Sequence, residues 1–211
     1  AFLLSKKARK SPREIANQIV SILNQSIGHI ATIEIAGGGF INFFLKDHII
    51  YSFMQDIYQE KDEYGSVHVG NNEKMQVEFV SVNPTGPLHV GHGKCAAFGD
   101  ALARVLKKAG FIVEKEYYIN DAGRQIDLLG LTLECRYKQL FGEEIEIPEG
   151  GYKGDYMVDI AQDLKKEKGD ALLSLTKDEK NEIFNSYAVS KILQSIQKDL
   201  SDFQVNFDVW F

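Results

Sequence analysis

Cysteine is scarce in this chain: two in 211 residues, Cys95 and Cys135. Both fall on helical patterns without metal-ligand spacing, which predicts buried, reduced thiols rather than a disulfide or a zinc site. No apolar run approaches the roughly 20 residues that a membrane-spanning helix needs. The first ten residues carry their charges after a very short apolar start, unlike a secretory leader. Internal repeats and low-complexity tracts are missing as well. These absences lead us to expect a cytoplasmic protein without membrane contact. Its 44% hydrophobic and 26% charged residues are ordinary for a globular chain. The length admits one large domain or two small ones.

Positive charge is also in short supply, and a net charge of −6 excludes a general nucleic-acid binder. The distribution is uneven. Residues 1–14 hold Lys6, Lys7, Arg9, Lys10 and Arg13 against Glu14, a local +4, so the rest carries −10. A basic helix on an acidic body steers RNA to one end of a molecule. A solvated helix face has the same composition.

Ser11-Pro12-Arg13-Glu14 is a capping box with proline at the first helical position. The helix behind it carries Ile15, Ile19, Ile22 and Leu23 on one stripe and ends before Gly28. Residues 30–35 and 40–45 read as strands joined by Gly37-Gly38-Gly39, hence a hairpin. Asp47 is placed to cap a helix with Ile50, Phe53, Met54 and Ile57, and Phe43, Phe44, Phe53 and Tyr58 read as core. Residues 64–73 read as a linker. This makes residues 1–72 a small α+β domain.

From Met75 the pattern becomes β-α-β, the start of a doubly wound parallel sheet. The helix from Gly91 carries Phe98, Leu102, Val105, Leu106 and Ala109, and residues 112–119 alternate into a second strand. After Asp121 the chain turns helical, with segments at 124–141, 155–168 and 177–200, and strand character returns at 205–211. A helical excursion over about 124–202 is thus inserted into the sheet of a second domain, residues 73–211.

Residues 77–92 carry the chemistry. A β-branched strand runs into Asn83-Pro84-Thr85-Gly86-Pro87, which forces a turn, and His89-Val90-Gly91-His92 opens a helix. A strand, a tight turn and a helix N-terminus favour anions, because unpaired amides and the helix dipole converge there. Two histidines at that point add donors that follow moving phosphate charge, which suggests reaction at phosphorus. Taken alone, the tetrapeptide also suits a pair of histidines capping a helix.

Residues 77–92 resemble the first signature of class I aminoacyl-tRNA synthetases, and residues 78–92 resemble its arginyl branch. Residues 118–125, 151–156 and 207–211 are similar to the bacterial members. The resemblance implies an α/β fold: the first half of a Rossmann-like parallel-sheet domain with a helical connective insertion, preceded by the small α+β domain that contacts the tRNA elbow. It implies activation of arginine by ATP with Mg²⁺ and transfer to tRNA(Arg), by a protein expected to be monomeric. By resemblance, His89, Gly91 and His92 bind ATP, with His89 and His92 catalytic. Glu78, Ser81, Val82, Asn83, His92 and Gln125 take arginine, and Lys6, Lys7, Arg9 and Lys10 take tRNA. No residue is assigned to a protein-held metal.

Some of these roles have rivals. Glu78 suits a guanidinium, but equally a structural ion pair within the sheet. Asp121, Gly123 and Gln125 resemble a pocket motif, but Asp121 also suits a helix cap. Tyr152, Gly154 and Asp155 belong to a family-like loop with no evident role beyond a turn. Gly86 stands where many arginyl members have lysine. The glycine form usually accompanies a Lys-Met-Ser-Lys-Ser-like loop, which these residues lack. Both ends read as cuts through structure, so an N-terminal fragment, inactive alone, is expected. Two other classes compete: a small His-x-Gly-His nucleotidyltransferase, which needs neither leading domain nor long insertion, and a non-catalytic RNA-binding module.

Overall fold

Ser11 and Glu14 satisfy each other as their spacing predicts. Glu14 Oε2 accepts from the Ser11 N–H at 2.9 Å and its hydroxyl at 2.8 Å, while Ser11 Oγ accepts from the Glu14 N–H at 3.2 Å. The structure, a computed structural model describing residues 1–23, 28 and 30–211, divides into two units, Ala1–Gly65 and Ser66–Phe211.

In the first unit α1 (Phe2–Ala8) and α2 (Pro12–Leu23) precede a hairpin of β1 (Ile30–Ala36) and β2 (Phe40–Leu45). The predicted end of the second helix falls at residues 24–27, outside the described residues. The hairpin is antiparallel, with Ala36 opposite Phe40 and Ile30 opposite Leu45. At its turn Gly39 has φ +134°, and an added Cβ would lie 2.7 Å from the Pro12 backbone, so the turn rests directly on the start of α2. Ile15 and Ala16 are the buried apolar side chains of α2.

Several expectations fail in this unit. Phe43, Phe44, Phe53 and Tyr58 are exposed rather than core, and α3 (Asp47–Glu60) buries no residue. Its apolar stripe of Ile50, Phe53, Met54 and Ile57 is exposed. Asp47 does not cap the helix. Lys46 is the N-cap and no side chain bonds the first turn. The basic residues do not share one helix either. Lys6 and Lys7 close α1, Arg9 turns left-handed at φ 52°, and Lys10 lies in the bend before α2.

In the second unit β3 (Lys74–Glu78), β4 (Ile112–Tyr117) and β5 (Val209–Trp210) form a parallel sheet in the order β3-β4-β5. α4 (Val90–Lys108) connects the first two strands. Residues 67–72, read from the sequence as linker, are tied to the end of α4: Val67, Gly70 and Asn72 donate to the carbonyls of Lys108, Ala109 and Gly110 at 2.8–2.9 Å. The predicted core face of α4 is also corrected. Phe98 and Val105 are 74% and 64% exposed, while Ala96, Gly99 and Ala103 face inward. Small residues let the helix lie close to the sheet, and the Phe79 ring occupies the space above Gly99.

The insertion holds α5 (Arg124–Gln139), α6 (Asp155–Lys168) and α7 (Lys177–Asp202). α7 starts on a capping box the sequence reading missed, with Thr176 bonded to Glu179. Of the residues that helical spacing marks as apolar on α5, Ile126, Leu129, Leu133 and Tyr137 are buried and Leu140 is half-buried; on α7 Phe184, Ile192, Ile196 and Leu200 are buried and Ile183 and Tyr187 half-buried. With Phe79, Tyr117 and Val205 these form one core that joins sheet and insertion. Each fully buried aliphatic side chain contributes about 1.5–3 kcal/mol. Val205 is buried and Phe207 packs tilted or edge-on against Phe79, Tyr117 and Trp210. The predicted 205–211 strand therefore meets β4 only over its second half, where residues 209–210 pair and Asp208 and Phe211 bond the backbone of Lys115, Tyr117 and Ile119. Of the two thiols, Cys135 is buried, which raises its pKa, whereas Cys95 is exposed and departs from expectation.

Candidate active site

The path from β3 to α4 carries most of the predicted site residues. Immediately after Glu78 and Phe79, Val80 and Ser81 take φ of +67° and +43°. Consecutive left-handed residues, one of them β-branched, cost on the order of 1–3 kcal/mol each and persist only where neighbours hold them. Here β4 does the holding. The Tyr117 hydroxyl donates to the Val82 carbonyl at 3.0 Å and accepts from the Val82 N–H at 3.2 Å. Ser81 Oγ accepts from the Tyr118 N–H at 3.0 Å and donates to the Phe79 carbonyl at 3.3 Å. Burial drives the Tyr117 pKa up to about 12, so its proton is available for donation.

The turn is next fastened to the insertion. Asn83 Nδ2 donates to Gln125 Oε1 at 2.6 Å, joining two residues predicted to share a pocket from opposite ends of a 42-residue stretch. Gln125 stands in the first turn of α5, whose N-cap is Gly123 with φ 89° and no side-chain bond; Asp121 therefore does not cap it. Pro84 is fully buried, and the Tyr156 hydroxyl donates to the Thr85 carbonyl at 2.7 Å.

At the start of α4 both histidines use their ring nitrogens on the main chain. His89 is the N-cap, and its Nδ1 accepts from the Gly91 N–H at 3.1 Å. His92 Nδ1 accepts from the His89 N–H at 3.2 Å. The rings stack with centroids 3.6 Å apart. The capping role that the tetrapeptide alone suggested is therefore real, and it does not compete with a chemical one. An accepting Nδ1 places the proton on Nε2, and both Nε2–H groups remain uncommitted among the described residues. Desolvation first, and the charge of His89 second, lower the His92 pKa, which keeps it a neutral donor near pH 7. Gly91 is needed because the His89 ring folds back over it. An added Cβ would stand 2.9 Å from His89 Cε1.

Glu78 ends β3 opposite Glu116, exposed, and pairs with no Lys or Arg among the described residues, so the structural ion pair is not formed. The helix and sheet are instead joined by Asp100 of α4, which binds Arg104 at 2.6 Å and Lys115 of β4 at 2.9 Å. These hydrogen bonds lower the Asp100 pKa against the opposing effect of its burial, the largest single influence. Lys6, Lys7, Arg9 and Lys10 belong to the first unit, all exposed. Sequence reasoning missed Tyr117 and Tyr156. The phenols reach the turn only through the fold, and the Gly154-Asp155-Tyr156 run was the available hint.

Comparison with known proteins agrees with this arrangement. Residues 1–45 match the arginyl tRNA synthetase N terminal domain, and residues 53–211 match the class I (R) tRNA synthetase catalytic domain. An arginine–tRNA ligase of Oceanobacillus iheyensis is 47% identical over 211 residues, which is 100% of this chain and 38% of that protein. One from Geobacter sp. is 48% identical over the same shares. The chain thus spans 38% of the length of these curated relatives. A Campylobacter jejuni crystal structure, described as an arginyl tRNA synthetase, superposes with TM-score 0.69 at 31% identity, covering 79% of this chain and 36% of its own. Thermus thermophilus arginyl-tRNA synthetase shares the fold, with TM-score 0.56 at 24% identity over 99% of this chain and 34% of its own. With a family match that runs over residues 53–211, through β3 and the paired histidines to the last strand, the chain belongs to the arginyl family of class I tRNA synthetases.

Proposed function

We propose that this chain forms part of an arginine–tRNA ligase and contributes one wall of its adenylation site. The observation that carries the reading is the histidine pair at the start of α4, its Nδ1 atoms spent on the helix and its Nε2–H groups uncommitted among the described residues, at the end of a turn that Gln125 fastens at Asn83. In this reading an arginine carboxylate oxygen attacks the α-phosphorus of ATP. The new O–P bond forms as the bond to the bridging oxygen breaks, and pyrophosphate leaves. A hydroxyl of the terminal ribose of tRNA(Arg) then attacks the arginyl carbonyl, the anhydride bond to phosphate breaks, and AMP leaves.

His89 and His92 donate to the phosphate oxygens as charge builds on the leaving group, aided by the positive end of α4. Gly91 keeps the approach clear. Ser81, Val82, Asn83 and Gln125, with His92, hold the amino acid, and Glu78 supplies the carboxylate for its guanidinium. Mg²⁺ arrives with the triphosphate as part of the substrate. Lys6, Lys7, Arg9 and Lys10 meet tRNA phosphates at the elbow. The described helices include none long and apolar enough to cross a membrane; we place the protein in the cytoplasm, as a monomer.

Amino-acid-dependent ATP–pyrophosphate exchange tests the reading, measured on the longest natural chain that carries these residues. Exchange should require arginine. Exchange driven equally well by lysine or another amino acid would overturn it.

A further inference from the structure

The loop at residues 151–156 has no role in the reading above, yet it ends against the turn that leads to His89. Tyr156, at the start of α6, donates its hydroxyl to the Thr85 carbonyl at 2.7 Å across 71 positions. Its ring lies in a slot walled by two glycines. A Cβ at Gly154 would stand 2.6 Å from ring atom Cε1, and one at Gly86 would stand 3.3 Å from the hydroxyl oxygen. Thr85 itself donates its N–H to the Asn83 carbonyl at 2.7 Å, so a pull on Thr85 is felt at Asn83. Pro84 and Pro87 restrict the backbone on either side. Burial holds the phenol protonated, with a pKa raised to about 12.

We propose that Tyr156 is a positioning residue: by anchoring Thr85 it sets where the turn delivers His89, so the helical insertion governs the placement of the histidine pair. The proposal rests on the reading of His89 and His92 as phosphate donors. Tyr156 itself touches no reacting atom. The chemistry needs its donors placed within fractions of an ångström; the Tyr117 and Gln125 bonds hold the turn at Val82 and Asn83, and without Tyr156 the stretch from Thr85 to His89 would be free to swing.

The test is Tyr156→Phe in the longest natural chain that carries these residues, with histidines labelled for NMR. The variant loses one oxygen and keeps the ring in its slot. We expect kcat for arginine-dependent exchange to fall about tenfold, while KM for ATP and arginine moves less than about threefold. The His89 and His92 imidazole signals shift, and Tm changes by no more than about 2 °C. Unchanged kcat with unchanged imidazole signals overturns the proposal. So does a drop in Tm with kcat intact, since that marks the bond as structural. If the parent protein shows no exchange with arginine, the functional reading fails on its own. The imidazole signals then decide the coupling: a shift upholds the anchoring and no shift overturns it.

Discussion

Tyr117 grips Val82 by both of its backbone groups, donating to the carbonyl at 3.0 Å and accepting from the N–H at 3.2 Å. The strand ladder of β3 ends at Glu78, so this phenol replaces the ladder bonds that the left-handed residues Val80 and Ser81 forfeit. A side chain from β4 thereby continues the order of β3 into the turn.

Tyr117→Phe should destabilise the second unit by about 1–3 kcal/mol, because it leaves a partly buried N–H and carbonyl without their partner. Urea unfolding monitored at Trp210 measures it. An unchanged midpoint would mean that water replaces the phenol at no cost.

Alkaline pH reports on the same group. Tyr117 and Tyr156 have folded pKa values raised to about 12, chiefly by burial, against about 10 for an unfolded tyrosine. A raised pKa means that the folded state keeps its proton longer. Their contribution is thus complete below about pH 10 and is lost as pH climbs toward about 12. Ultraviolet titration should show a late-ionising fraction among the nine tyrosines, reduced in Tyr117→Phe. A single transition near pH 10 would contradict the burial.

Acid acts on His92. Its folded pKa is lowered, so the stability it confers is present above the unfolded value of about 6.5 and declines as pH falls through it. Protonation also removes the Nδ1 acceptor from the His89 N–H, opening the start of α4. Nitrogen-15 spectra of the imidazoles should show His92 titrating below an ordinary histidine. In the longest natural chain that carries these residues, His92→Ala should slow adenylate formation by about 10²-fold, the usual effect of losing one transition-state donor. An unaltered exchange rate would remove His92 from the chemistry.

The exposed cations of the first unit should serve tRNA. Replacing Lys6, Lys7, Arg9 and Lys10 with alanine should weaken tRNA(Arg) binding and flatten its salt dependence by up to about four counterions. Filter binding across a salt series reads both. Equal affinity and slope would make these residues a solvated surface.

The 211 residues alone should not charge tRNA. Among the described residues their parallel sheet has three strands, β3 and β5 each pair on one side only, and Phe98 and Val105 of α4 are exposed. A doubly wound sheet binds its ligand at the switch between its halves, and these residues span 38% of the length of the curated relatives they match. Exposed apolar residues that invite self-association lie on α4 and also at Phe211, 72% exposed beside the open edge of β5, whereas Val205 is buried. Sedimentation should show concentration-dependent association, reduced by Phe98→Lys. Measurable arginyl-tRNA formation would show this wall to suffice.

Local rules carried the sequence reading a long way. Capping at Ser11–Glu14, the glycine turn between β1 and β2, the parallel strands around α4 and the apolar stripe of α5 follow from patterns within a few residues of each other. Such patterns can be read before any packing is known. The histidine tetrapeptide and its turn were legible for the same reason. Three features depended on groups brought together from distant segments. Phe98 points outward because Gly99 and Ala103 allow closer contact than a large residue would. The aromatics of β2 and α3 are exposed because periodicity marks a face as apolar without supplying the surface that covers it. Tyr117 and Tyr156 reach the turn from 35 and 71 positions away, and only the tertiary fold, by setting those phenols against Val82 and Thr85, decided that the turn is held from both sides.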